Sequence, residues 1–126
     1  MERHVRLLRI LVGLWGGLAI LVGVSMLLLA TGAWAEFRQS LGTAVEFAAG
    51  LTTVVFAGIG VFALLWGGTH AWAATLLRRR RPFGRVLTLA LALVNLLVLP
   101  FGTALGVYAL WILLTDDGRR LFEPAR

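Results

Sequence analysis

The stretch that decides the fold is residues 10–35, ILVGLWGGLAILVGVSMLLLATGAWA, which holds 26 residues without a charged side chain. About 20 apolar residues are enough to cross the hydrocarbon core of a bilayer as a helix. Two further apolar runs follow, residues 47–77 with 31 residues and residues 86–114 with 29 residues. Three such runs in one chain predict an all-α integral membrane protein with a helical bundle fold.

The composition agrees with lipid as the surrounding solvent. The chain is 60% hydrophobic and 14% charged, with a mean hydropathy of +0.89, whereas a soluble domain has about 25% charged residues. It contains no cysteine, which excludes disulfides, thiolate metal sites and cysteine nucleophiles. The 126 residues leave room for a single transmembrane helical domain, 1–126, and for no separate soluble domain.

The basic residues act as a topology signal. All 12 are arginine, a usage typical of GC-rich bacterial genomes, and they flank the apolar runs. Basic residues at span ends orient a membrane protein with its positive loops in the cytoplasm, so we expect the lipid bilayer as partner and no nucleic acid. Five arginines within residues 78–85 are candidate contacts for anionic lipid: Arg78, Arg79, Arg80, Arg81 and Arg85.

The first run also has an alternative interpretation as a secretory signal. It follows a basic leader, and Ala33-Trp34-Ala35 matches the small-x-small pattern at which signal peptidase cuts. The apolar stretch is longer than 20 residues, whereas a signal core has about 7–15. We therefore favour an uncleaved span over residues 10–31, with cleavage of residues 1–35 as the alternative.

The third run can be threaded in two ways. It forms either one span kinked at Pro100, or a helical hairpin that turns at residues 100–103 and returns the C-terminus to the cytoplasm. The hairpin places 11 of the 12 arginines inside and the single span places eight, so the positive-inside rule favours the hairpin. Length argues against it, because residues 86–99 form about 21 Å of helix and the core is about 30 Å thick.

We favour two long transmembrane helices plus a short C-terminal helical hairpin, with three spans and a Pro-kinked third as the alternative. The expected spans are about 10–31, 46–77, 86–99 and 102–115. Both termini are then cytoplasmic in a multi-pass protein of the bacterial inner membrane.

The C-terminal third carries a recognisable sequence pattern. It has an Arg-Pro-aromatic turn at residues 81–85, then Asn95-Leu96-Leu97, then PFGTALGVYALWILL at residues 100–114. This pattern resembles a group of uncharacterised small bacterial integral membrane proteins with a PxGTxLGxYxLWxLL-type segment. The resemblance implies a membrane bundle and carries no activity.

Three polar residues within the apolar runs are the candidate intramembrane polar sites: His70, Asn95 and Thr103. Intramembrane ionisable residues suggest proton relays or ligand sites, but a lone histidine without a second ligand makes a poor metal site. Asn95 is expected to hydrogen-bond across helices. We therefore predict no catalytic residue, no metal and no cofactor.

Small residues mark candidate helix-packing faces. Residues four apart share a helix face, so two glycines at that spacing let two backbones approach closely. The pairs with this spacing are Gly13 with Gly17 and Gly102 with Gly106. They fit either packing within one chain or self-association.

These features favour a non-enzymatic interaction protein or accessory subunit, bound to a membrane-protein partner or to itself. The alternative is a homo-oligomeric channel or transporter for an anion or a neutral solute, with half-helix N-termini at the hairpin tip. Convergence of Thr69, Asn95 and Thr103 on one cavity favours transport, and separate pairing favours packing. A membrane enzyme needs His70 beside Asn95 and a lipid-accessible cleft.

Overall fold

The computed structural model describes residues 2–98 and 100–123, and every regular element in them is a helix. The helices are α1 Glu2–Gln39, α2 Thr43–Arg78, α3 Pro82–Asn95, α4 Phe101–Leu114 and α5 Asp116–Arg120. The all-α prediction is confirmed. Both α1 and α2 have the length and composition needed to cross a membrane, as the sequence predicted. Leu99, the last residue of the expected third span, lies outside the described residues.

The first two helices continue well beyond the apolar spans expected from the sequence. With 38 and 36 residues, they measure about 57 Å and about 54 Å at the helical rise of about 1.5 Å per residue. The arginines of the leader therefore lie on α1 itself. Residues 40–42 connect the two helices, and Leu41 in this connection is fully exposed.

The chain divides into two compact units. One, here called the hairpin unit, contains Met1–Gly16 and Thr69–Arg126, and the other, the two-helix unit, contains Gly17–Gly68. Both boundaries lie beside glycine pairs, Gly16-Gly17 and Gly67-Gly68.

The two-helix unit buries only small residues. The buried positions in Gly17–Gly68 are Gly23, Ala30, Ala49, Gly60 and Gly67. A Cβ added at Gly23 would lie 2.9 Å from the carbonyl oxygen of Gly60, and one added at Gly60 would lie 3.0 Å from the oxygen of Gly23. The backbones of α1 and α2 therefore meet at these glycines, where Leu27 and Leu64 also pack. Most of the other large apolar side chains are exposed.

The hairpin unit has a core of larger side chains drawn from four helices. The large buried apolar side chains of these helices are Leu8 and Val12 of α1, Leu77 of α2, Leu91 of α3, and Ile112 and Leu113 of α4, and Phe122 after α5 is buried as well. This unit therefore combines side-chain packing with the close backbone contacts of α3 and α4.

The helices α3 and α4 pack against each other in antiparallel directions. A Cβ at Gly106 would lie 2.6 Å from the carbonyl oxygen of Ala92, and one at Gly102 would lie 2.7 Å from that of Asn95. Farther along, Nε of Arg85 donates to the carbonyl oxygen of Leu113 at 2.9 Å. The third apolar run is therefore two helices whose backbones touch at a pair of glycines.

The turn before α3 follows from helix-capping chemistry. Arg80 donates its N–H to the oxygen of Leu77 and Arg81 donates to Leu76, the bond pair of a Schellman motif. Arg80 takes the left-handed backbone conformation, with φ 49°. Arg81 is extended and Pro82 begins α3, where its missing N–H costs nothing.

The turn between α3 and α4 provides hydrogen-bond acceptors for the backbone N–H groups at the start of α4. The N–H of Thr103 donates to the oxygen of Val98 and that of Ala104 donates to Pro100. The hydroxyl of Thr103 donates to the oxygen of Leu96 at 2.9 Å. These bonds let the chain reverse without exposing those backbone donors, a requirement wherever the surroundings are apolar.

The packing glycines predict a matched pair of stability effects. Gly106→Ala places a methyl group against the Ala92 carbonyl, and we expect the free energy of unfolding to fall by about 1–3 kcal/mol. Gly17→Ala meets nothing within 4 Å and should be neutral or stabilising by up to about 1 kcal/mol. Unfolding followed by circular dichroism in detergent measures both variants. Equal stability of the two variants would contradict the close approach of α3 and α4.

Candidate functional site

The structure brings together two of the three polar residues that the sequence singled out. Asn95, the last residue of α3, donates its side-chain Nδ2 to Nε2 of His70 on α2 at 3.0 Å. His70 is 0% exposed and Asn95 is 2% exposed. Because a buried polar group without a partner is costly, this bond fixes the end of α3 against α2.

One acceptor of the pair is left over. The side-chain oxygen Oδ1 of Asn95 is buried and has no hydrogen-bond partner within residues 2–98 and 100–123. Leaving a buried acceptor unpaired costs about 1–3 kcal/mol. The His70–Asn95 contact therefore stabilises the packing of α3 on α2 but also carries the free-energy cost of one buried acceptor without a partner.

The pair lies well inside the apolar part of α2. His70 is eight residues before Arg78, the last residue of the helix, which corresponds to about 12 Å along the axis. The neighbouring core residue Ala73 is fully buried. The hydrogen bond therefore forms in apolar surroundings, where it holds two helices together rather than facing water.

Catalysis requires that a substrate can reach the reacting side chains, and also that those side chains lie close to each other. His70 does lie beside Asn95, which is the first condition for a membrane enzyme, but both side chains are shielded from the surface. No group of three or more histidine, cysteine, aspartate or glutamate side chains in the described part of the chain is placed to hold a metal ion. The hydrogen bond between His70 and Asn95 therefore joins α2 and α3 at a place shielded from solvent.

Thr103 is used separately from this pair. Its hydroxyl bonds the oxygen of Leu96 within the turn, and its surface lines a shallow apolar recess with Tyr108 and Trp111. Asn95 faces His70 instead. Asn95 and Thr103 therefore serve different contacts.

The glycine pairs also separate in the structure. Gly102 and Gly106 both lie on the contact of α3 with α4, whereas Gly17 has an open surface and Gly13 has only an ordinary contact, 3.7 Å to Cβ of Ala74. Sequence spacing alone did not reveal the close contact of Gly23 with Gly60. The contact involves one glycine on each of two helices. Such a pair can be recognised only when the alignment of the two helices is known.

The five candidate arginines of residues 78–85 have different surroundings. Arg85 is half-buried and binds the carbonyl of Leu113 near the C-terminus of α4, where a positive charge complements the helix dipole. Arg80 pairs with Glu2 at 2.7 Å. Arg78, Arg79 and Arg81 are exposed.

Sequence reasoning missed an aromatic cluster near the N-terminus. Tyr108 hydrogen-bonds Nδ1 of His4 at 3.2 Å, and the ring of Trp111 meets that of His4 edge-on with centroids 5.7 Å apart. Tyr108 and Trp111 are three residues apart on α4 and so share a face. That spacing was the available signal, but it did not identify the partner on α1.

Comparison of the chain with protein-family models, curated proteins and solved structures finds no match. The function is therefore inferred from the geometry of its own residues.

The buried pair predicts measurable coupling between two distant positions. Asn95→Leu and His70→Leu should each lower the free energy of unfolding by about 1–3 kcal/mol, because each removes the buried hydrogen bond between α2 and α3. The double variant should cost less than the sum, with a coupling of about 0.6 kcal/mol and at most about 1.7 kcal/mol.

A double-mutant cycle in detergent or bilayers measures this coupling. As the control, Asn95→Leu is combined with Thr75→Val, because Thr75 bonds the oxygen of Trp72 on its own helix. The control pair should be additive. Additivity of Asn95 with His70 as well would show that the hydrogen bond does not hold α3 to α2.

Proposed function

We propose that this chain is a small multi-pass protein of the bacterial inner membrane that acts, without catalysis, as an interaction or accessory subunit of a membrane complex. The observation that carries the proposal is the burial pattern of the two-helix unit. Only Gly and Ala are buried there, while large side chains such as Leu28, Phe47 and Phe62 are exposed.

This pattern is the reverse of that in a soluble protein, where large apolar side chains fill the core. In a bilayer, helices gain nothing by hiding leucine from lipid, and they associate through small residues that let backbones approach. In the most apolar windows of α1 and α2, 17% and 6% of residues are buried. The exposed apolar surface of α1 and α2 is therefore suited to contact with lipid or with apolar helices of a partner.

Contacts within the hairpin unit support placing the two ends of the chain on the same side of the membrane. The carboxylate of Glu2 contacts Arg80, and Phe122 lines the same recess as Arg6. An antiparallel α3–α4 pair also returns the chain to the end from which it departed. With 14 residues each, these helices are about 21 Å long, so we propose that they enter the bilayer as a re-entrant hairpin rather than as full spans.

Open glycines on the long helices favour a helical partner. A Cβ at Gly17, Gly32 or Gly58 would meet nothing within 4 Å, and all three positions are exposed. Glycine weakens a helix by about 0.5–1 kcal/mol relative to alanine. Contact with another transmembrane helix, from a partner or a second copy, offsets that cost.

The alternative is a homo-oligomeric channel or transporter for an anion or a neutral solute. The free Oδ1 of Asn95 is the observation that favours it. Against it, the amides of Thr103 and Ala104 at the start of α4 donate within the turn and so are engaged rather than aimed at an anion.

The topology predicts a labelling pattern that the absence of native cysteine makes simple to read. A cysteine appended after Arg126 should resist a membrane-impermeant thiol reagent in intact cells, because that end is cytoplasmic. Leu41→Cys, in the exposed connection of α1 and α2, is the positive control and should be labelled. Ready labelling of the appended cysteine would exclude a cytoplasmic C-terminus.

The subunit role is tested by native mass spectrometry of the tagged chain, gently extracted from its own membranes. We expect a complex of defined stoichiometry with another membrane protein, which Gly58→Leu should weaken because the substitution fills an open helix face. A homo-oligomer of fixed copy number that conducts solute in liposomes would instead support the channel.

A further inference from the structure

A basic recess lies in the hairpin unit, apart from the buried His70–Asn95 pair. It has a volume of 160 Å³ and is formed where the start of α1, the end of α2 and the residues after α5 meet. Its charged lining consists of Arg6, Arg9, Arg78, Arg80 and Glu2. A liquid water takes up about 30 Å³, so the space accommodates a group several times larger.

The charges around this recess do not balance. Arg80 is paired with Glu2 at 2.7 Å, and in the described part of the chain no ion pair is found for Arg6, Arg9 or Arg78. These three arginines come from two helices and line one space. Like charges held together repel one another, and a bound anion removes that cost.

The chemistry of the lining specifies the anion. Guanidinium presents planar, paired N–H donors that match phosphate oxygens in a bidentate way. The apolar lining includes Leu77 and Phe122, which are 2% and 4% exposed. An occupant therefore meets both charged and apolar side chains.

We propose that this recess binds the phosphate group of an anionic phospholipid. The proposal rests on the membrane location proposed above. Apolar surface for the acyl chains lies close by, because Leu7, Ile10 and Leu11 are exposed on α1 next to Arg6 and Arg9. Basic pockets at the cytoplasmic ends of membrane helices bind lipid headgroups through the same forces.

Glu2 acts as an internal competitor in this site. Its carboxylate occupies one guanidinium of the recess, although the pair is exposed, with side chains 64% and 58% accessible. Removing this negative charge frees Arg80 and lowers repulsion of an incoming phosphate. Glu2→Gln should therefore bind anionic lipid more tightly, by about fivefold for one charge.

The test measures lipid exchange by native mass spectrometry on the full chain in nanodiscs. Phosphatidylcholine discs are compared with discs that contain a minor fraction of phosphatidylglycerol, and inorganic phosphate is added to phosphatidylcholine discs as a separate arm. The decisive variant is Arg6→Gln with Arg78→Gln. Its matched control is Arg3→Gln with Arg79→Gln, which removes the same charges from the same two segments outside the recess.

We expect the wild-type chain to retain phosphatidylglycerol selectively and the recess variant to lose about thirtyfold in apparent affinity, the product of about fivefold for each arginine. The control pair should lose clearly less affinity than the recess pair, because Arg3 and Arg79 do not line the recess. Equal losses in the two pairs would reduce the site to diffuse surface charge and overturn the proposal. If inorganic phosphate occupies the recess and displaces phosphatidylglycerol, the bound phosphate group does not come from a lipid, and the proposal is wrong.

The outcome also separates this inference from the proposed function. A chain that is not recovered with the nanodiscs contradicts the membrane location and therefore both proposals. A chain that is recovered but binds both lipids equally overturns only the recess.

Discussion

Close approach of backbones at glycine is the contact on which the rest of this structure depends. It occurs at Gly23 and Gly60 in the two-helix unit, and at Gly102 and Gly106 in the hairpin unit. Helices at this distance gain dispersion contacts along their length, which matters most where lipid removes the usual hydrophobic driving force. Most large side chains of residues 17–68 are exposed, while Leu27 and Leu64 pack at the glycine contact.

The polar contacts of the hairpin unit build on that arrangement. Once α3 and α4 touch, Asn95 at the end of α3 meets His70, and Arg85 at the other end meets the last turn of α4. Each bond satisfies a group that apolar surroundings would otherwise leave unpaired. The Glu2–Arg80 pair then joins the start of the chain to the turn before α3.

The sequence was a good guide to helix content and a poor guide to partners. Three long apolar runs sufficed for the all-α class and for α1 and α2, because length and composition alone carry that information. The end of α3 fell at Asn95, four residues before the expected end at Leu99, since apolar composition continues through the turn and hides it. The distribution of the arginines favoured a hairpin for the third apolar run. No local sequence pattern distinguished that hairpin from a single kinked span.

The candidate site shows the same limit. His70 and Asn95 were recognisable as polar residues in apolar runs, but their contact joins positions 25 apart on different helices. Such a pair depends on the rotation of each helix about its axis, and hydropathy does not report that angle. The basic recess escaped detection for a similar reason, since Arg6 and Arg9 lie about 70 residues before Arg78 and Arg80 and only the fold brings them together.

Alkaline carbonate extraction of cell membranes tests the central claim, that lipid is the solvent of the long helices, most directly. The account predicts that the full chain stays in the membrane pellet, as an integral protein does when its apolar helices have no other place to be buried. Release of the chain into the supernatant would contradict it, because the exposed leucine and phenylalanine side chains of residues 17–68 would then face water.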